Sequence, residues 1–375
     1  MTEKILQARE AVRRMKEYHP PLSGRDGLRL DFNENTEAPS PRVAEVLQQF
    51  GSEELTKYPE RAPLEALVAK YLRLTAPQVL LTNGVDEAVH LLCETYLEPA
   101  DEVIIVVPTF SMYEIYAQGT GAKIITVQAD PDDGFRFPID QVLSRIGPQT
   151  RMVAVASPNN PTGILVRSQD LLKMADAAPH AALLVDEAYH EFCGETVLGA
   201  ANRFPNLFVA RTFSKAYGLA GLRIGVLAGS APQMHMVRKV SSPYNVNAIA
   251  LACLPAAIAD RGFVESYVHQ AVQGRGRLMI QLACHGIPYW ISQANFVLAN
   301  LGPLHTEFVA QMRKRGILVR DRSSDPGCDG CVRITVGAAE HTDQLLQALP
   351  KVLRAIDWTP PAQLAAASAQ TGNTK

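Results

Sequence analysis

No stretch of this sequence stays apolar long enough to cross a bilayer as a helix. The best run, residues 248–259, is short and contains Pro255. Charge of one sign is also lacking: the formal net charge is −2, so nothing argues for wholesale binding to nucleic acid or membrane. The first twenty residues mix Glu3, Glu10 and Glu17 with basic residues and hold no apolar core, which excludes a secretory signal and argues against a transit peptide. A cytoplasmic protein is expected. Six cysteines are scattered, and only Cys328 and Cys331 form a CxxC. No second pair or histidine cluster completes a metal site around them, so two reduced thiols in a turn are expected there. Internal repeats, low-complexity blocks and a helix-turn-helix appendage are likewise absent.

What is present suits a large enzyme. At 375 residues, with 47% hydrophobic and 20% charged residues, the chain can build a substantial core, and two domains are expected. Apolar runs predict strands at 28–30, 79–82, 102–107, 123–128, 152–156, 181–185, 207–210 and 224–228, and later at 294–299, 317–320 and 332–336. Helical periodicity marks 4–17, 62–74, a start near Val85–Asp86, 306–315 and 342–355. A long helical pattern over 263–285 is expected to break at Gly274 and Gly276. Residues after Trp358, rich in Ala, Gln, Thr and Ser, read as a disordered tail.

Polar residues gather where these strands end. Thr212–Ile224, TFSKAYGLAGLRI, follows the strand at 207–210 and is closed by Gly225. α/β proteins put their chemistry at such strand ends. Gly218 and Gly221 let a flat ligand lie against Lys215, and Arg223 offers a planar fork suited to a phosphate. The strand at 79–82, the Asn83–Gly84 turn and the helix start at Val85–Asp86 form a phosphate cup in principle. SPNNPTG at 157–163 forces a rigid turn with outward amides. Asp186 closes a buried strand, where a carboxylate needs a cation or several donors. Asn160, Asp186 and Lys215 are separated by 26 and 29 residues, each room for about one strand and its crossover. Together these spacings set Asn, Asp and Lys along one edge of a parallel sheet.

The SerLys–Ala–Tyr–Gly–Leu–Ala–Gly–Leu–Arg stretch resembles the cofactor-lysine motif of the fold-type-I pyridoxal-phosphate enzymes, specifically the aminotransferases that include those acting on histidinol phosphate. The resemblance covers roughly residues 18–357. It implies an α/β fold: a large domain with a mostly parallel seven-stranded sheet between helices, at 41–270, and a smaller α+β domain at 271–358. Residues 1–40 would form an arm against the small domain, and 359–375 a tail. It implies pyridoxal 5'-phosphate held on Lys215 as a Schiff base. Asp186 would keep the ring nitrogen protonated, Asn160 and Tyr189 would reach the ring oxygen, and Phe110 would stack on the ring. Ser214, Thr212, Arg223 and the Gly84–Val85–Asp86 turn would take the phosphate. Tyr58 would cross a homodimer interface to the partner's cofactor phosphate. The substrate set implied is Tyr18, Asn35, Asn160, Arg333 and Arg320, with Arg322 resembling a family position equally. In the loop DFNENT at 31–36, the usual Pro-x-Gly after the second Asn is replaced by Thr36–Glu37–Ala38–Pro39.

The activity implied is transamination of L-histidinol phosphate with 2-oxoglutarate, a step of histidine biosynthesis. A phosphate monoester of about −1.5 to −2 charge needs more than one cation, which argues for that substrate over an aromatic amino acid. An aromatic aminotransferase and a decarboxylase of a phosphorylated amino acid are the alternatives. A regulator built on the same body would need a DNA-binding segment, and the region before Tyr18 is too short for one.

Overall fold

The computed structural model describes residues 6–21 and 24–361. Its first strand, β1 (Leu28–Arg29), is two residues long, and its partner lies far along the chain. The next seven strands make one sheet: β2 (Val79–Thr82), β3 (Glu102–Val107), β4 (Lys123–Gln128), β5 (Thr150–Ala156), β6 (Ala182–Asp186), β7 (Leu207–Thr212) and β8 (Gly225–Ala228). Their spatial order is β2-β8-β7-β6-β5-β3-β4. Only β8 runs against the others, pairing antiparallel with both β2 and β7. Every residue of β2, β6 and β8 is buried. Such continuous apolar runs, rather than alternation, are what a sheet covered by helices on both faces requires. Adjacent residues enter opposite cores: Ile105, Met152 and Leu184 pack on one face, Ile104, Val153 and Leu183 on the other. Fully burying each such side chain contributes about 1.5–3 kcal/mol.

The parallel register sets the site. Ala156 stands beside Asp186, and Asp186 beside Ala210. The segments that follow β5, β6 and β7 therefore leave the sheet at one edge.

The remaining strands are β9 (Phe296–Asn300), β10 (Ile317–Leu318), β11 (Arg320–Asp321) and β12 (Cys331–Thr335). β12 lies between β9 and β11, antiparallel to both. Helices His305–Lys314 and Ala339–Ala355 pack with this small sheet around Leu278, Val297, Phe308, Ile334 and Leu349. β1 pairs in parallel with β10, Leu28 beside Ile317, which ties the residues before the large sheet to this second core. Cys328 and Cys331 pack with Ala129, Phe135 and Leu298. None of the six cysteines is disulfide-bonded, and no group of metal-ligating side chains is found among the described residues. No helix of the described residues is long and apolar enough to cross a membrane.

Several expectations are corrected. The helix expected over 4–17 is only Glu10–Arg14. Residues 1–5 lie outside the described residues. The short helix buries no side chain, and an amphipathic pattern without a core to cover has little to propagate it. The long helix does not break at its glycines but runs continuously from Arg261 to Cys284. A Cβ on Gly274 would lie 2.7 Å from Thr342 Oγ1, so this glycine admits the close approach of helix Ala339–Ala355. A mid-helix glycine costs only about 1 kcal/mol, too little by itself to end a long packed helix. The strand expected over 317–320 is divided at Val319 between two sheets. Of the expected tail, 362–375 lie outside the described residues.

Candidate active site

Asp186 closes β6 and is buried. Its Oδ2 accepts a hydrogen bond from the Tyr113 hydroxyl at 2.6 Å, and its Oδ1 accepts from the Ala188 N–H at 3.0 Å. Burial pushes the carboxyl up to about 6, against the opposing pull of these two donors. No cationic side chain of the described residues pairs with it. A carboxylate held this way, on neutral donors in an apolar floor, is suited to a cation from a ligand.

Lys215 follows β7 and is half-buried. Its Nζ donates to the Phe32 carbonyl at 3.0 Å and meets no carboxylate in ion-pair range. Burial first, then the Arg333 charge, pulls its pKa down to about 8. An appreciable neutral fraction near pH 8 makes this amine a nucleophile and a proton carrier.

At the turn where a phosphate cup was expected, Gly84 has φ 75° and opens helix Gly84–Tyr96, and the next two residues, Val85 and Asp86, line the cavity described below. A Cβ on Gly84 would lie 2.5 Å from Arg223 Nη2. Arg223 itself takes φ 54° in the turn before β8 and pairs with Asp86 at 2.9 Å. The Ser214 hydroxyl is buried and makes no hydrogen bond, while the Ser214 N–H donates to Thr212 Oγ1 at 3.1 Å. A buried hydroxyl without a partner beside a helix start and a guanidinium fits a phosphate ester.

On the other side stands Arg333, from β12. Its Nη1 donates to Asn160 Oδ1, its Nη2 to the Asp31 carbonyl at 2.6 Å, and its buried Nε has no partner. Burial and the nearby Arg322 charge pull its pKa down to about 10. The Asn160 amide nitrogen is left to donate elsewhere. The Tyr189 hydroxyl accepts from Asn33 Nδ2 at 2.9 Å, leaving its own proton to give. Between these groups lies a cavity of about 420 Å³, lined also by Tyr18, Val85, Phe110, Arg320 and Arg322.

Three expected residues lie outside that lining: Gly84, whose neighbours Val85 and Asp86 belong to it, Asn35 and Tyr58. Asn35 donates to the Ala216 carbonyl at 3.1 Å and accepts the Glu37 N–H at 2.8 Å, so both ends of its amide are committed to backbone. It lines a separate cavity with Thr36 and Gly218, and Asn33, with φ 54°, occupies the wall instead. Tyr58 is 80% exposed and stacks on Tyr244 with ring centres 4.4 Å apart, away from the cavity of its own chain. Sequence reasoning missed Asn33, Tyr113 and Phe32. Asn33 had a signal, a second asparagine in the same polar loop. Tyr113, in the first turn of a helix, had none. Arg320 and Arg322 both line the cavity, but Arg322 pairs with Asp325 while Arg320 pairs with no carboxylate among the described residues.

A family model described as aminotransferase class I and II matches residues 25–352. The chain is similar to the histidinol-phosphate aminotransferase of Dehalococcoides mccartyi, 33% identical over 326 residues, spanning 86% of this chain and 89% of that one. It is 34% identical over 337 residues to the protein of the same name from a Geobacillus species, spanning 88% and 91%. Its fold is similar to the solved histidinol-phosphate aminotransferase of Sinorhizobium meliloti in complex with pyridoxal-5'-phosphate, at TM-score 0.84 and 24% identity, spanning 95% and 100%.

Proposed function

Since the chain belongs to the class I and II aminotransferases, we propose that it transfers the amino group of L-histidinol phosphate to 2-oxoglutarate, with pyridoxal 5'-phosphate as cofactor. The observation that carries this reading is that Arg320 and Arg333 face the cavity with no carboxylate partner among the described residues, across from an equally unpaired Lys215. Two unneutralised guanidinium groups suit a phosphate monoester of about −1.5 to −2 charge better than a lone carboxylate.

When bound, the cofactor supplies an electrophilic aldehyde and a ring that withdraws electrons from the substrate carbon. The chain's residues do the rest. Ser214, Thr212, Arg223 and the N–H groups after Gly84 would hold the cofactor's phosphate, and Phe110 would lie against its ring. Asp186, its two oxygens fixed by Tyr113 and Ala188, would supply the anion for the ring nitrogen. Asn160 and Tyr189 would be the donors for the ring oxygen. The Lys215 amine is the group that would hold the aldehyde and, when free, would serve as base and acid at the substrate Cα. Arg333 and Arg320, with Tyr18, grip the substrate's anionic group.

The same reading carries a catalytic domain over 41–270, a small domain over 271–358 with the arm 1–40 against it, a cytoplasmic location and a homodimer. Support for the homodimer is the exposed apolar group formed by Leu55, Tyr58 and Tyr244. Comparing histidinol phosphate, phenylalanine and glutamate as amino donors tests the substrate. Far higher efficiency with phenylalanine than with histidinol phosphate sinks the assignment in favour of an aromatic aminotransferase. Release of carbon dioxide from a phosphorylated amino acid sinks it in favour of a decarboxylase.

A further inference from the structure

The hairpin of β11 and β12 sets three guanidinium groups on one face of the small sheet. Arg320 stands opposite Arg333 in the ladder, and opposite residues of an antiparallel pair share a face. Arg322 follows two residues on, with its N–H on the Cys331 carbonyl at 2.9 Å, so its side chain leaves on that face too. All three line the cavity. Their charges are not equivalent, because only Arg322 has a carboxylate partner, Asp325.

Asp325 is built into the turn rather than merely near it. Its N–H donates to the Arg322 carbonyl at 2.9 Å, and its own carbonyl accepts the Cys328 N–H at 3.0 Å. Backbone bonds thus hold both residues in the turn, and the Arg322 guanidinium has the longer reach on its side chain than the Asp325 carboxylate has. Arg322 Nη2 is ion-paired with Asp325 Oδ2, while the buried Arg322 Nε has no hydrogen-bond partner, which leaves donor capacity on Arg322 unused. Three guanidinium charges less this one carboxylate leave two positive charges around the anion, the match for a phosphate monoester of about −1.5 to −2. A substrate carboxylate needs only one.

We infer that Arg322 is a third, conditional anion contact beside Arg333 and Arg320: it rests on Asp325 while a carboxylate substrate is bound, and it moves onto the substrate when that carries a phosphate monoester. Asp325 is then a positioning residue, setting how strongly the pocket prefers the doubly charged group. This rests on the substrate reading above and deepens it.

The test uses the full-length holoenzyme. Arg322→Gln is expected to lower the ratio of kcat/KM for histidinol phosphate to that for glutamate about tenfold or more, the scale of one charge-assisted hydrogen bond, and Arg322→Lys is expected to restore part of it. Asp325→Asn is expected to raise the same ratio and to strengthen inhibition of the glutamate half-reaction by inorganic phosphate. In a chain already carrying Arg322→Gln, Asp325→Asn is expected to change neither. Equal losses for both substrates in Arg322→Gln, or an effect of Asp325→Asn that persists without Arg322, overturns the inference and leaves the pair a brace for the turn. Phosphate inhibition of the glutamate half-reaction separates the two levels. If the unmodified enzyme does not use histidinol phosphate, the substrate reading falls, while weaker phosphate inhibition in Arg322→Gln still upholds the conditional contact and unchanged inhibition still removes it.

Discussion

The buried Tyr113 hydroxyl donates to Asp186 Oδ2 at 2.6 Å, so a phenol from the start of one helix holds the carboxylate at the end of β6. With only neutral partners, Asp186 is raised to about 6 by burial. The folded chain therefore binds this proton more tightly than the unfolded chain does. In cofactor-free protein, stability is expected to fall as pH rises from about 4 to about 6, by up to about 3 kcal/mol at about 1.4 kcal/mol per pKa unit. Asp186→Asn should abolish that slope and leave the cofactor-free protein more stable at pH 7, as read by thermal unfolding. In the loaded enzyme the same variant should lose more than about a hundredfold in turnover, the scale of one preorganised electrostatic partner. Near-normal turnover would make Asp186 structural.

Lys215 has the opposite shift, down to about 8 from burial and the Arg333 charge. Its neutral fraction should pass one half near pH 8 and be nearly complete about one unit above. The rate at which cofactor-free protein combines with added pyridoxal phosphate is expected to climb over that range and level off, with the borohydride-reduced adduct on Lys215 by mass spectrometry. A rate still rising at pH 10, or an adduct on another lysine, contradicts the assignment. Lys215→Ala should keep the fold and lose turnover almost entirely.

Gly84 is required by both its backbone and its neighbour. Alanine there would meet Arg223 Nη2 at 2.5 Å, at φ 75°. The left-handed conformation costs an alanine about 1–2 kcal/mol, and the displaced guanidinium no longer faces the phosphate. Gly84→Ala should weaken cofactor affinity about tenfold or more, measured by equilibrium titration. Unchanged affinity would remove Gly84 and Arg223 from the phosphate site.

Asn33 and Asn35 should behave differently despite sharing one loop. Asn33→Ala removes the donor to the Tyr189 hydroxyl and should lower kcat. Asn35→Ala removes the tie to the Ala216 carbonyl and should cost about 1 kcal/mol of stability, the usual worth of a hydrogen bond, with little change in substrate KM. The reverse pattern would restore Asn35 to the substrate wall.

Tyr58 is tested by complementation. Mixed chains of Tyr58→Phe and Lys215→Ala, each impaired alone, should recover part of the activity through hybrid dimers. A protein that sediments as a monomer at assay concentration rules this out.

The large sheet and one edge of the site were legible because they depend on local pattern. Strands covered on both faces must be continuous apolar runs, and β2 falls where such a run predicts it, β6 within one residue. Parallel strands joined by crossovers must present their ends at one edge, so the spacing of Asn160, Asp186 and Lys215 already aligned them. The helix over 4–17 failed because periodicity records an apolar face without recording whether anything covers it.

What local pattern leaves open is orientation across distant segments. Asn33 rather than Asn35 faces the cavity because Ala216, 181 residues away, takes the Asn35 amide. Arg320 rather than Arg322 is left without a carboxylate because the turn after β11 folds Asp325 back. Tyr113 reaches Asp186 only once the helix opening at Met112 has packed against the sheet. By itself the sequence determined which residue types stand at the strand ends, since burial and chain reach govern that. Tertiary structure decided which of several equivalent polar side chains meet one another, since that depends on contacts between elements the chain order keeps apart.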